Sequence, residues 1–301
     1  MGCRVRVVRA FNPLVGVFGV LRFRGVRCKV FSGFRAGVVA LLLWPLVGEY
    51  IYDLVEWKAD VCRDNWSGFR RVFVPLVDVV ERLVVRFSRL VFNAGRSFVH
   101  PCLRGFAGKV VFAENGYSDE LFDPGRYDRR SVRERYGVDF PLVLYVGKLT
   151  PMYAKYLVPV IEAMEAVRGR FPDAEFWIFG DGPCRGFLER YSGRWGVRVK
   201  GYLPFERVPE VVAMADVGVN AYRTESLKLR EWLAMGLPVV APLGVRFPGV
   251  VNCEWRKEEI ARSIVRIIEE GVRVRVRVKL NTWGDTAKVI LSTCERLYGA
   301  G

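Results

Sequence analysis

"YRTESLKLREWLAMGLPVVAP" spans Tyr222–Pro242. It opens on a polar stretch, runs through apolar residues at helical spacing, turns at Gly236 and ends in a β-branched apolar run. A loop, a helix and a buried strand in that order form the return half of a β–α–β unit. Ser226 stands where the helix should begin and is its expected N-cap. Lys228 and Glu231, three residues apart, share one helix face. Two readings are open. The pair is an ordinary surface ion pair behind a capped helix, or the helix head is a site for an anionic ligand bearing hydroxyls. In the second reading, free N–H groups near Ser226 and Leu227 receive the anion. Lys228 adds a charge-assisted bond, and Glu231 accepts from the hydroxyls of a sugar or ribose.

The same alternation continues on the amino-terminal side. "PLVLYVGKL" predicts a buried strand, Leu157 to Gly169 a helix, and "RFPDAEFWIFGDGP" a strand with a tight turn. Cys184 to Ser192 reads as a helix, "VRVKGYLP" as strand and turn, Val208 to Met214 as a short helix, and "ADVGVNAY" as a strand. Near-continuous apolar strands separated by helices predict an α/β fold with a parallel sheet covered on both faces. Ligands in such sheets bind beyond the carboxyl ends of the strands. Polar clusters follow Val146, Phe179 and Val219. The first offers Gly147 and Lys148, with Lys155 in the same loop or first turn, where cations would neutralise a departing diphosphate. The second is Gly180-Asp181-Gly182-Pro183, whose glycines permit close approach of a ligand or simply a turn. No GxGxxG or Walker A pattern points to a dinucleotide or ATP site.

The first third reads less directly. "VRVVRAF", "VRCKVFSG", "EYIYDLVEW", "RLVFNAG" and "KVVFAENG" predict short strands. Gly37 to Val47 predicts a buried helix, and Val72 to Arg89 an amphipathic one. "FDPGRYDRRSVRERYGVD", polar and broken by Pro and Gly, reads as a linker. Near the other end, valines alternate with Arg273, Arg275, Arg277 and Lys279, which predicts a half-solvated strand or an extended segment with a basic face. Asn281 to Leu297 closes the chain as a helix. His100, the sole histidine, reads as a structural residue of a helix or loop.

Composition narrows the class. The 301 residues carry 47 Lys plus Arg against 32 Asp plus Glu, a net charge of +15. That balance favours phosphorylated substrates, nucleic acid or an acidic membrane. The charge is spread through the chain, and no aromatic–basic RNA signature or zinc-finger pattern is present, so nucleic acid is not expected. Seven cysteines, scattered and never in CxxC pairs, predict a reducing compartment without a disulfide framework or structural zinc. The longest apolar run, Val38 to Val47, is too short to span a bilayer, but with the tryptophans it permits peripheral docking.

The run from "VLYVGKL" to "PVVAP" resembles the nucleotide-sugar half of retaining GT-B glycosyltransferases of family 4 (group 1). Gly147 and Lys148 look like the family's glycine and basic residue after the first strand, with Lys in place of the commoner Arg. Lys155 matches its diphosphate lysine, Gly180 to Pro183 its GDGP turn, and Ala215-Asp216-Val217 its "ADV" strand opening. "SLKLREWLAMGLPVVA" is similar to the form "PLKLLEYMAMGKPVVA". There Glu231 is the ribose-binding glutamate and Lys228 stands beside the donor. The family's other glutamate falls at Arg223, and the nearest acid is Glu225. "ENGYSDELFDP" resembles the hinge between domains. "IYDLVEW" resembles a first-domain strand end, with Val55 at the histidine position and Glu56 at the acid. "NTWGDTAKVI" resembles the closing helix.

The resemblance implies two Rossmann-like domains with parallel sheets facing across a cleft, the first one truncated. They would comprise residues 1–125 and 126–281, with a closing helix near 282–301 returning to the first domain. It further implies transfer of a sugar from a nucleotide-diphosphate sugar to a glycan or lipid-linked acceptor, with retention and without an obligatory metal or other cofactor. The expected catalytic residues are Lys148, Glu225 and Glu56. Gly147, Lys148, Lys155, Gly180, Asp181, Gly182, Pro183, Ser226, Leu227, Lys228 and Glu231 would bind the donor. A cytoplasmic location, at the inner membrane face where the acceptor is lipid-linked, goes with this reading. The departures at Val55 and Arg223 support an alternative, a weak or inactive subunit that binds donor or a partner.

Overall fold

The computed structural model describes residues 26, 28–94, 100–245, 247–271 and 279–299. The expected strand "VRVVRAF" and the basic positions Arg273, Arg275 and Arg277 lie outside them. The chain divides into two compact units. One holds the described residues up to Asn115 together with those from Gly284 onward, and the other is Gly116–Trp283.

The first unit is a four-stranded parallel sheet in the order β1-β2-β3-β4, made of Val30–Ser32, Ile51–Leu54, Leu90–Asn93 and Val110–Phe112. Helices α1 (Gly33–Leu42), α2 (Trp44–Val47), α3 (Lys58–Asn65) and α4 (Val74–Phe87) supply its cover. The expected helix over 37–47 begins earlier and is interrupted at Leu43, because Pro45 cannot donate to the preceding turn and restarts the helix. Glu81 of α4 is fully buried. Its carboxylate accepts from the Tyr52 hydroxyl at 3.0 Å and from the Lys58 amide at 2.6 Å, so it caps α3 from a neighbouring helix. Burial, opposed by those bonds, pushes its carboxyl up to about 7. Glu81→Leu strands both donors. It is expected to destabilise the protein by about 2–4 kcal/mol in a denaturant titration.

His100 is structural: its ring stacks on Trp57 at 4.4 Å, and Nε2 lies 3.1 Å from Asp60. One cysteine expectation is overturned. Cys28, just before β1, is disulfide-bonded to Cys294, at an S–S distance of 2.15 Å. The two are 266 residues apart in sequence, and they meet because the closing helix packs Val289, Ile290 and Leu297 against Ile51 and Phe92 of this sheet. Cys62, Cys102, Cys184 and Cys253 are free. Cysteine usage therefore no longer argues for a reducing compartment.

The first α-helix of the second unit is α5 (Arg129–Tyr136), where the sequence suggested a linker. Asp128 caps it by accepting from the Ser131 amide at 2.9 Å, and Gly137 ends it in the left-handed region. The segment is polar because one short turn is buried, at Val132, while its arginines reach across to the sheet. Arg129 and Arg133 both pair with Asp216, whose carboxylate also accepts from the Leu142 amide at 2.8 Å.

The sheet of this unit comprises β5 (Leu142–Val146), β6 (Glu175–Phe179), β7 (Val197–Gly201), β8 (Val217–Val219), β9 (Val239–Pro242) and β10 (Val250–Cys253). All its pairings are parallel, in the order β10-β9-β8-β5-β6-β7. That is the doubly wound Rossmann order, and its switch point lies between β5 and β8. Helices α6 (Pro151–Arg170), α7 (Arg185–Glu189), α8 (Val208–Met214), α9 (Leu227–Ala234) and α10 (Lys257–Glu270) cover the two faces, and α11 (Trp283–Tyr298) closes the chain. β10 and α10 are not anticipated from the sequence. The buried Ile260, Ile264 and Ile267 of α10 follow helical spacing. Both faces of β5 are buried, which is why its sequence is apolar throughout rather than alternating.

Candidate donor site at the switch point

The site is built from strand ends. β5 pairs with β8, so the loop after Val146 and the loop after Val219 leave the sheet side by side. A crevice between diverging connections forms at this place in a doubly wound sheet.

Three glycines bring the loops together. A Cβ on Gly180 would sit 1.8 Å from the Gly147 carbonyl oxygen, and one on Gly182 would sit 2.6 Å from that of Leu149. Both have φ near +150°, which L side chains rarely adopt. The Leu149 amide donates to Asp181, and the Cys184 amide donates back to Leu149. The GDGP turn is thus clamped, backbone on backbone, to the loop carrying Lys148. A Cβ on Gly147 would lie 2.8 Å from the Tyr145 hydroxyl and 3.2 Å from Lys228 Nζ. The absence of a side chain there makes room for both groups.

Helix α9 is held by its inner face. Trp232 is fully buried and lies over Gly218, where a Cβ would be only 2.5 Å from the indole. Ser226 has the extended backbone of an N-cap, yet its hydroxyl makes no cap. It donates to Asn220 Oδ1 at 2.6 Å. Asn220, wholly buried at the end of β8, also donates through Nδ2 to the carbonyls of Tyr222 and Thr224. One side chain therefore shapes the loop from 220 to 226 and draws the capping hydroxyl away. The helix head consequently lacks a side-chain cap, and its first amides are the kind that bind anions.

Lys228 turns inward from that head. Its ammonium donates to the Val146 carbonyl at 3.1 Å and lies 4.0 Å from the Tyr145 ring centre. Burial lowers it to about 7, opposed by the Glu231 charge. Burial likewise raises Glu231 to about 7, opposed by Lys228. The i,i+3 pair foreseen from sequence is therefore not a surface ion pair.

The other expected residues are placed as follows. Lys148 is exposed, and its carbonyl accepts from Tyr145 at 3.1 Å. Lys155 is exposed on α6, its ammonium 5.5 Å from the Tyr156 ring, and Tyr156 meets Tyr222 edge to face. Glu225 lies 3.4 Å from Arg230, a buried guanidinium that also covers Phe247. Glu56 belongs to the first unit, is half-exposed, and sits 3.7 Å from Lys58. Asn220 and Tyr145 escaped the sequence reading, although a polar residue ending an apolar strand, as in "VGVN", is a readable signal. A separate open hollow, of about 620 Å³, flanks α5. Its Arg130 and Glu134 pair with each other at 3.0 Å, so it belongs to that helix's own scaffold.

A doubly wound sheet with clamped glycine turns and an uncapped helix head at its switch point has the geometry that suits a phosphorylated ligand. Residues 140–285 match the family model described as glycosyl transferases group 1. That segment is similar to the group 1 glycosyltransferases, and the chain's two parallel sheets match the GT-B fold of solved glycosyltransferase structures. It is 32% identical over 221 residues to the alpha-D-kanosaminyltransferase of Streptomyces kanamyceticus, covering 67% of this chain and 57% of that protein. It is 33% identical over 141 residues to a GDP-mannose-dependent alpha-(1-6)-phosphatidylinositol monomannoside mannosyltransferase of Mycolicibacterium smegmatis, covering 42% of this chain and 36% of that one. The chain thus spans little over half of the first relative and about a third of the second. The structure of sucrose-phosphate synthase from Thermosynechococcus elongatus superposes with a TM-score of 0.76 at 18% identity, over 98% of this chain and 81% of that one.

Among the described residues, no helix is long and apolar enough to cross a membrane.

Proposed function

We propose that this protein is a retaining family 4 glycosyltransferase. It moves a sugar from a nucleotide-diphosphate donor, of UDP or GDP type, to a glycan or lipid-linked acceptor. The observation that carries the reading is the uncapped head of α9 at the switch point, with Lys228 and Glu231 one turn apart behind it. The donor diphosphate rests on the α9 amides at Ser226 and Leu227, with Lys228 beneath and Lys148 and Lys155 at the rim. Glu231 takes the ribose hydroxyls. The Gly147 loop and the Gly180–Pro183 turn form the wall. Support also comes from the relatives, one of which is GDP-mannose-dependent by name.

In the reaction the bond from the anomeric carbon to the diphosphate oxygen breaks, and the electron pair leaves with the diphosphate. The acceptor oxygen bonds to the same face of that carbon, and its proton passes to a diphosphate oxygen. Lys148 meets the charge that develops on the leaving group. Glu225, fixed by Arg230, is the carboxylate assigned to the sugar. No obligatory metal is required, so turnover should persist in chelator. An acceptor linked to lipid, met at the inner face of an anionic membrane, suits the positive chain, and the cytoplasm supplies the activated nucleotide.

Calorimetry with UDP- and GDP-sugars tests the site. Glu231→Ala should lose roughly tenfold or more in donor affinity, the scale of a charge-assisted hydrogen bond. Unchanged affinity would remove Glu231 from the site. A second reading, a donor-binding subunit without turnover, is favoured by Val55 at the position where the family resemblance implies histidine. Donor binding with neither transfer nor hydrolysis across an acceptor screen would select it.

A further inference from the structure

We propose that one face of the first unit is a docking surface for an anionic lipid bilayer. It is formed by the 3-10 segment Gly68–Phe73 and the helix α4 that continues it. The proposal names the partner surface for the lipid-linked acceptor of the proposed function, and its own test is read without donor.

The face inverts the usual order of a helix. α4 buries Val74, Glu81, Val84 and Val85. It turns Leu76, Val79, Leu83 and Phe87 outward, at helical spacing, with Leu76 58% exposed. Upstream, Phe69 is 77% exposed and packs edge to face on Phe73 at 5.3 Å. Downstream, Trp44 meets Phe87 at 5.7 Å and extends the patch to Leu42, 74% exposed. An ordinary monomer surface scatters such residues singly, whereas a continuous row marks an interaction site.

Charge selects the occupant. Arg70 and Arg71 follow Phe69, and Arg82 and Arg86 alternate with Leu83 and Phe87. Of the acids on this helix, Glu81 is buried, and Asp78 accepts from Arg82 and from the Trp57 indole, each at 2.7 Å. The outward face is therefore apolar with a basic flank. That is the pattern of a segment lying in the headgroup boundary of an acidic membrane, its aromatic and aliphatic side chains dipping below and its arginines meeting phosphates. A two-fold pairing of this face with a second copy would set arginine rows against each other.

Co-sedimentation of the full chain with vesicles tests this. Binding is expected to phosphatidylcholine vesicles containing phosphatidylglycerol, and not to phosphatidylcholine alone, and it should weaken with salt. Two variants probe the face: Leu76→Ser with Leu83→Ser and Phe87→Ser, and Arg70→Glu with Arg71→Glu. All five residues are exposed, so circular dichroism should be unchanged. Each variant should lose roughly tenfold or more in partitioning. No binding to acidic vesicles, or full binding by both variants, overturns the proposal. So does a lipid-free dimer, seen by analytical ultracentrifugation, that the apolar variant dissolves.

Discussion

Lys228→Met is expected to weaken nucleotide-diphosphate binding by roughly 10- to 100-fold and to flatten its dependence on pH. The ammonium sits under Gly147, bonded to the Val146 carbonyl and faced by the Tyr145 ring, so little water reaches it. Its folded value, lowered to about 7, makes it half-charged in the free protein near neutrality. A diphosphate arriving at the α9 head favours the charged form, so binding draws in a proton. The sign follows from that uptake. As pH rises above about 7 the free protein increasingly lacks the proton, and affinity falls by up to about tenfold per unit. Glu231, raised to about 7 by burial, offsets this in part, because its ionised form is the better acceptor for the ribose hydroxyls. Calorimetry in two buffers of unlike ionisation enthalpy should show net proton uptake by the wild type and less by the variant. An affinity independent of pH, with no uptake, would detach Lys228 from the anion.

The residues that make this pair unusual were visible in sequence, but their environment was not. Spacing placed Lys228 and Glu231 on one helix face. It left a surface ion pair and a ligand site equally open, because i,i+3 geometry is the same in water and in a crevice. The deciding facts are long-range: β5 beside β8, Gly147 without a side chain over the ammonium, and Asn220 drawing the Ser226 hydroxyl out of its capping position. The parallel sheet was legible because strands covered on both faces must be apolar throughout. Helix α5 was not, since only Val132 is buried there and its Pro and Gly neighbours signal a turn. The Cys28–Cys294 bond was hidden for the same kind of reason. Nothing local in sequence brings the closing helix against β2 and β3.

Gly180→Ala is expected to cost about 3 kcal/mol or more in stability and to abolish measurable donor binding. The new Cβ would stand 1.8 Å from the Gly147 carbonyl oxygen, far inside van der Waals contact. It meets backbone on that side, so no side-chain rotation relieves it. The backbone is also held at φ +151°, where an L residue is strained even in open space. Relief requires the turn to move off the Gly147–Leu149 loop. That breaks the Leu149–Asp181 and Cys184–Leu149 bonds that clamp the two loops. The same displacement shifts Gly147, hence the lid over Lys228, so stability and ligand binding fall together through one contact. Gly186→Ala is the matched control. It lies further along the chain, inside α7, where an added Cβ would have nothing within 4 Å and the backbone has no positive φ. There alanine should be neutral or stabilising by about 0.5–1 kcal/mol, as in any exposed helix interior. Denaturant midpoints and donor titrations on the two variants separate a specific clamp from general sensitivity to alanine. Equal midpoints would mean that the GDGP turn is free of the Lys148 loop and does not fix the site.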